Sequence, residues 1–458
     1  MSLSALVNCS RQGDVLTDNG CVTNSTSLNG VVDLFFIAGA SRKMPVADIE
    51  KMLQSSWVED KLLTLKLIFW AGNVRGGAGE RRFFRIALSW LEKHYPESLK
   101  NNLHLVPHFT RWDNLFHLNF DDVAPLVQKG LENKDGLLGK WMPRKKQYNN
   151  FAHRFRRKYG LNHKEYRQTI VKLSNTVEQQ MCAGQWDKIA YKGVPSCAMN
   201  KYRTAFYKHD LARFTQFIED VTSGKTTVHA GTLFPYQLYQ AWKKGENPKA
   251  IEAQWEALPN YGGDFKILPI CDVSGSMSGL PMDISVSLGL YLSERNTSIF
   301  HNAFITFSGN PTMNYLKGSA CERMRQLEHA EWGMNTNLDK AFELILGKAI
   351  QNRLTQEDMP DMLLIISDME FDQCGSLSAH DNIKHKYAAA GYKCPKLVFW
   401  NVNGRKGNVP VAHKTQDVAL VSGATPAVIQ GVLSGKKITP EDVMKETLNN
   451  KVYDVLSV

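Results

Sequence analysis

The sequence predicts a helical solenoid or ring over its first half, followed by an open, doubly wound α/β domain. Two observations predict this. From about residue 31 to residue 257, apolar residues recur at three- and four-residue spacing, as one buried helix face requires. Beyond Tyr261-Gly262-Gly263, short continuous apolar runs alternate with helix-length stretches, as buried parallel strands and their crossover helices require. At 458 residues the chain is about three times a common domain length of roughly 150, so a single small module is excluded. The boundaries expected are a lead-in over 1–30, a helical domain over 31–262 and an α/β domain over 263–458.

Residues 1–30 are rich in Ser, Asn, Thr and Gly and read as irregular. The segments 46–58 and 61–72 carry helical periodicity, and Gly72 is a plausible stop. Residues 75–82 read as a turn, and 83–95 as a helix ended by Pro96. Further helices are expected at 98–106, 112–118, 121–132, 149–159, 163–182, 196–222, 235–243 and 248–257. Short connections between them suggest stacked helical pairs. Strands are expected at 265–271, 300–308, 360–368, 395–403 and 417–423, with helices at 281–294, 337–351, 378–391 and 426–434. Thr439 and Pro440 open a last short helix as cap and first-turn residue.

Composition narrows the class. Hydrophobic residues make up 43% and charged ones 22%, which is globular rather than disordered. Every apolar run is broken or shorter than the roughly 18–20 residues of a membrane span. The N-terminus has no positive start followed by an apolar block, so no secretory signal is expected. The eight cysteines form neither C-x-x-C pairs nor a Cys/His pattern, which fits reduced thiols and a cytoplasmic protein.

The formal net charge of +10 is unevenly shared. From Gly263 onward there are 19 basic and 21 acidic residues; the first 262 residues carry 36 and 24, a net +12. Attraction to a polyanion therefore belongs to the first half. Residues 140–172 concentrate it in Lys140, Arg144, Lys145, Lys146, Arg154, Arg156, Arg157, Lys158, Lys164, Arg167 and Lys172, against the single acid Glu165. Trp141, Tyr148, Phe151, Phe155, Tyr159 and Tyr166 are interleaved. Such cations neutralise phosphates, and aromatic faces stack on unpaired bases. The alternative is a solvated basic helix whose aromatic residues face the core.

The Gly76-Gly77-Ala78-Gly79 turn invites a phosphate-loop reading and fails it. It follows a helix rather than a strand, has Arg82 where a third glycine belongs, and lacks the GK[ST] ending. It reads as a joint between helices, whose flanking Arg75, Arg81, Arg82 and Arg85 could still present cations to a ligand.

The sharpest signal is Asp272-Val273-Ser274-Gly275-Ser276, directly after the first expected strand. In a doubly wound sheet, ligands bind beyond the carboxyl ends of the strands. Asp272, Ser274 and Ser276 occupy alternate positions of one turn, so their oxygens can converge. Gly333-Met334-Asn335-Thr336-Asn337 precedes a helix, and Ser367-Asp368 follows another expected strand. All three sites fall on one sheet edge. Two carboxylates and three hydroxyls are hard donors, suited to Mg²⁺ or Mn²⁺. A phosphoryl-transfer D-x-D would need an Asp where Ser274 stands. A hydrolase G-x-S-x-G elbow would need Ser where Met277 stands. Neither enzyme reading fits, and Glu370 and Asp372 read as rim residues.

D-x-S-x-S after a strand, then a G-x-N-T-N loop, then a strand-terminal Asp, resembles a von Willebrand factor A domain with a metal-ion-dependent adhesion site. The resemblance implies that Asp272, Ser274 and Ser276 supply the first group of ligands, Thr336 the second and Asp368 the third. It also implies an open position that takes a partner's carboxylate. A basic helical half joined to such a domain resembles the TROVE-module proteins typified by the Ro autoantigen. It is more closely similar to a family of uncharacterised proteins with this layout. The stretches that carry the likeness are 72–86, 109–116, 268–278, 365–373 and 397–406.

That resemblance implies a HEAT-like ring whose cationic channel takes single-stranded RNA ends, and structured RNA on an outer face. The function expected is non-catalytic RNA binding, with the divalent site docking a partner. The candidate contacts are Arg75, Arg81, Arg82 and the 140–158 cations Lys140, Arg144, Lys145, Lys146, Arg154, Arg156, Arg157 and Lys158. The alternatives are a protein-interaction scaffold and a metal-dependent nuclease.

Overall fold

The computed structural model of the chain describes residues 13–144, 148–261, 266–307, 311–328, 338–372, 379–433 and 438–458. A two-stranded antiparallel hairpin, β1 (Val15–Leu16) and β2 (Val22–Thr23), precedes the helices. Fifteen helices follow among the described residues: α1 (Gly30–Ala38), α2 (Val46–Glu59), α3 (Lys61–Gly72), α4 (Arg81–His94), α5 (Pro96–Asn102), α6 (Val106–Phe109), α7 (Phe120–Glu132), α8 (Gly136–Trp141), α9 (Asn149–Lys158), α10 (His163–Ser174), α11 (Val177–Cys182), α12 (Ser196–His209), α13 (Leu211–Thr222), α14 (Pro235–Lys243) and α15 (Pro248–Glu256). The second half reads β3 (Ile267–Asp272), α16 (Leu280–Glu294), β4 (Ala303–Phe307), β5 (Thr312–Tyr315), α17 (Ala320–Glu328), α18 (Leu338–Gln351), β6 (Met362–Ser367), α19 (Ala379–Ala389), β7 (Lys396–Asn401), β8 (Val418–Ser422), α20 (Ile429–Leu433) and α21 (Pro440–Leu448).

The first half is thus helical and the second an α/β sheet of mainly parallel strands. The sheet order is β5-β4-β3-β6-β7-β8, with β5 alone antiparallel. From β3 the chain winds one way to β4 and later returns on the other side through β6, β7 and β8. Right-handed crossovers then leave a crevice at the β3–β6 junction, where winding reverses. Register places Cys271 beside Ile366, so Asp272 and Ser367 leave the sheet together. β3 and β6 are buried along their whole length, which is why each reads as an unbroken apolar run.

The two halves share one core. Helix α1 packs on β8, α21 packs on both β8 and α3, and α14 packs on α16. Burial on all sides explains the sequences of α1 and α3. In α1 only Gly30 and Asp33 escape full burial, and α3 is buried from Thr64 to Gly72. Neither helix keeps a polar face, because each lies between other elements. Caps mark their starts: the Asn29 side chain accepts from Val32 N–H and the Asp60 side chain from Leu63 N–H. The end of α1 approaches β8 so closely that a Cβ on Gly39 would lie 2.5 Å from the Ser422 carbonyl oxygen. A second apolar cluster, with Phe206, Phe214 and Phe217, holds α12 and α13 together.

The expected elements are largely present, with five differences. The lead-in contains the β1–β2 hairpin. Residues 163–182 break at Asn175, which adopts a left-handed φ of +31°. Residues 196–222 break at Asp210, whose extended φ of −145° separates α12 from α13. Residues 112–118 hold only a 3-10 turn, Trp112–Asn114. Helices α8 and α17 and strand β5 have no counterpart in the expectation; α8 and β5 are too short for their periodicity to show.

Candidate metal centre and nucleic-acid interface

Asp272 ends β3 with its side chain fully buried. Its Oδ1 accepts the Ser274 N–H at 2.9 Å and its Oδ2 accepts the Ser367 hydroxyl at 2.5 Å. The Ser367 oxygen in turn accepts the Met369 N–H at 2.9 Å. Met369 has a left-handed φ of +67°, which turns the chain immediately after Asp368. Asp368, 1% exposed, accepts the Glu370 N–H at 3.3 Å. The Ser274 and Ser276 hydroxyl oxygens are 3.1 Å apart, with Ser274 buried and Ser276 exposed. Asp272, Ser274, Ser276 and Asp368 therefore share one sheet edge. Thr336 lies outside the described residues.

Of the rim, the sequence points to Glu370, but not to Arg405, Asn408 or the hairpin residues Thr17 and Asp18. Arg405 lies 3.4 Å from the Asp368 carboxylate, 3.5 Å from Glu370 and 2.9 Å from Asp18. Glu370 accepts the Asp18 N–H and the Asn408 side-chain N–H, each at 2.9 Å. The Thr17 hydroxyl donates to the Phe371 carbonyl at 2.8 Å. The β1–β2 hairpin is thereby pinned beside the crevice. A cavity of about 380 Å³ opens next to Ser276, lined also by Lys43, Asp48, Arg405 and Lys406.

Buried carboxylates dominate the electrostatics of this edge. Asp18, Asp368 and Glu370 share the single guanidinium of Arg405, which makes no ion pair with Asp272 among the described residues. Burial, then repulsion from Asp368, pushes the Asp272 carboxyl up to about 7. Burial also raises Glu370. Among the described residues, no three His, Cys, Asp or Glu side chains gather as a metal group. The donor set rests instead on two carboxylates and neighbouring hydroxyls. Such hard oxygens fit Mg²⁺ or Mn²⁺. The six described cysteines are free thiols; Cys271, next to Asp272, is buried, and burial pushes its thiol up to about 12.

The basic candidates separate into bound and unbound groups. Arg75 donates to the His108 carbonyl, Arg82 to the Ser41 carbonyl, and Arg144 to the Gly139 carbonyl and Ser174 hydroxyl. Lys140 lies 3.9 Å from Glu178. Arg154 and Lys158 lie 3.7 Å and 3.6 Å from Asp121 and cover the Phe120 ring. Lys145 and Lys146 lie outside the described residues. Arg156, Arg157, Lys164, Arg167 and Lys172 make no ion pair among the described residues, and all but the half-buried Arg156 are exposed.

The aromatic expectation is corrected. Phe151, Phe155 and Tyr166 are buried, and Trp141, Tyr148 and Tyr159 pack half-buried against the same core. These rings hold α9 and α10 in place and leave no open face for base stacking. The Gly76–Gly79 turn is the joint between α3 and α4. Asn73 Oδ1 accepts the N–H groups of Arg75 and Gly76, and the Trp70 carbonyl accepts that of Ala78. Gly77 is required here, since a Cβ would collide with the Trp70 carbonyl. Three of the turn's N–H groups are thus committed internally.

A family profile described as a domain of unknown function, DUF2828, matches residues 17–113 and 123–260, more than half of the chain. The chain belongs to the DUF2828 family. In this DUF2828 protein a second profile, the domain of unknown function DUF7788, matches residues 266–455, the α/β half. The DUF2828 match takes in β2 and the helices α1–α15, apart from the first three residues of α7. The uncharacterised protein L728 of Acanthamoeba polyphaga mimivirus is 26% identical over 503 aligned residues, covering 96% of this chain and 88% of that protein. The similarity spans both halves, so the DUF2828 helices and the sheet are joined in the relative as well.

Proposed function

We propose that the chain is a non-catalytic RNA-binding protein whose α/β half carries a divalent ion for docking a partner. The helical half is read as a HEAT-like ring and the α/β half as a von Willebrand factor A-like domain. The observation that carries the reading is the charge distribution. The first 262 residues hold a net +12, and on α9 and α10 Arg156, Arg157, Lys164, Arg167 and Lys172 make no ion pair among the described residues. Phosphate contacts, rather than stacking, do the binding, because the aromatic residues of this segment belong to the core.

Asp272, Ser274, Ser276 and Asp368, with Thr336, are the proposed ligands of Mg²⁺ or Mn²⁺. A bound ion supplies an electrophilic position for a partner's carboxylate. The buried Asp272–Asp368 pair supports this, since the two carboxylates repel and a divalent ion would offset that repulsion. A cytoplasmic location fits the free thiols, and no helix among the described residues is long and apolar enough to cross a membrane.

The test is binding of a labelled single-stranded oligoribonucleotide to the full chain across a salt series. The full chain is used because the halves share a core. The expected result is a steep linear fall of log K with log salt, about 0.7 per phosphate neutralised. Absence of binding at low salt overturns the RNA reading and favours a scaffold. Cleavage of the oligonucleotide with Mg²⁺, abolished in Asp272→Ala, overturns the non-catalytic assignment.

A further inference from the structure

The geometry points to a phosphate-binding site where Arg81, Arg85 and Arg111 converge on Asp113. Two sequence stretches far apart in the chain build it. Arg81 and Arg85 stand one turn apart at the start of α4, so they share a face. Arg111 and Asp113 come from the loop and 3-10 turn after α6. Arg111 grips the Asp113 carboxylate through Nε at 2.8 Å and Nη2 at 2.5 Å. Arg85 reaches the same carboxylate through Nη2 at 2.9 Å and Asn114 Oδ1 through Nε at 2.8 Å. The Arg111 guanidinium also lies 3.7 Å from the Trp141 ring centre. Asp113 and Asn114 are buried, so both forks are held before any ligand arrives.

The charge does not balance. One carboxylate faces three guanidinium groups, leaving an excess of two. The nearest further acid, Glu80, is taken by Arg42 at 3.0 Å. Arg81 is exposed and makes no ion pair among the described residues. Its pKa is lowered by burial first and then by repulsion from Arg111, with Arg85 adding to it. A compact oxyanion with two negative charges relieves that repulsion. The Nη1 groups of Arg85 and Arg111 make no hydrogen bond among the described residues, and with the Arg81 guanidinium they offer donors to its oxygens; a phosphate is the group of that charge and shape. The cluster adjoins Trp141 and Tyr148, where the basic segment begins; Arg85 lies 5.9 Å from the Tyr148 ring. A strand lying on α9 and α10 can place a phosphate here. That the phosphate belongs to RNA rests on the reading above; the phosphate chemistry does not.

The experiment uses the full chain, the Arg81→Ala variant and two probes: inorganic phosphate, and a single-stranded oligoribonucleotide. The Arg81 side chain makes no hydrogen bond or ion pair among the described residues, so Arg81→Ala is expected to melt as the parent does. Arg85→Lys, which keeps charge and loses the fork, is the second variant. Expected are oligonucleotide binding about tenfold weaker in Arg81→Ala, a salt slope shallower by about 0.7, and saturable phosphate binding that both variants lose. Phosphate binding without RNA binding keeps the site and rejects the RNA carrier. RNA binding that neither variant weakens, with no saturable phosphate binding, overturns the site and leaves the RNA reading standing.

Discussion

Ser367 donates a 2.5 Å hydrogen bond to Asp272 across the junction of β3 and β6. The bond ties together the two strand ends at which the winding of the sheet reverses. Asp368 follows Ser367 directly, so the same contact sets the spacing of the two buried carboxylates. A hydroxyl can hold one oxygen of Asp272, but it cannot cancel the repulsion from Asp368.

Divalent binding is expected to require both carboxylates. Asp272→Asn and Asp368→Asn each remove one charged donor without changing side-chain size. Titration with Mn²⁺ followed by electron paramagnetic resonance should show saturable binding in the parent and none in either variant. Far-ultraviolet circular dichroism should be unchanged, since Asp272 is the last residue of β3 and Asp368 follows the end of β6. Parent-like Mn²⁺ binding in the variants rejects this ligand set.

Stability without metal should fall with rising pH. The folded state holds the Asp272 proton up to about 7, whereas an unperturbed Asp releases it near 3.8. The contribution is fully present below the unfolded value and is lost as pH rises through the folded one. Melting temperatures in a chelator should therefore decline between about pH 4 and pH 7, and Mg²⁺ should restore them at the upper end. Asp272→Asn should remove this part of the decline. A chelated parent whose pH profile matches that of Asp272→Asn contradicts the assignment.

Replacing Arg156 and Arg157 by alanine should weaken RNA binding for every sequence alike. Both lie on α9 with no ion pair among the described residues, so the loss is of phosphate contacts. The salt slope should fall by about 1.4, or about 0.7 for each contact. Arg154→Ala should do less, because Arg154 already lies 3.7 Å from Asp121. A change confined to sequence preference would refute the role.

Arg405→Gln should loosen the N-terminal hairpin and tighten divalent binding. Arg405 joins Asp18 of the hairpin to Asp368 and Glu370 of the crevice. Removing the guanidinium frees Asp368 from a competing cation and unpins the hairpin rim. Hydrogen exchange at residues 15–24 should accelerate, and half-saturation with Mn²⁺ should move to lower concentration. Unchanged exchange in that segment would show that the Thr17–Phe371 and Asp18–Glu370 hydrogen bonds hold the hairpin without Arg405.

The order of helices and strands, the D-x-S-x-S turn after β3 and the charge asymmetry are written into local sequence. Each depends on neighbours a few residues apart: periodicity, a strand followed by small polar residues, a run of like charges. Tertiary packing alone decided the rest. The rings of 148–166 were legible as aromatic, but only the docking of α9 and α10 turned them into the core and away from a ligand. Arg405 and Asp18 meet although 387 residues separate them, and Arg85 and Arg111 meet only because Asp113 draws both. No local pattern encodes such meetings. They arise when burial of α1 and α3 between the helices and the sheet brings distant polar groups within reach, where desolvation forces each to find a partner.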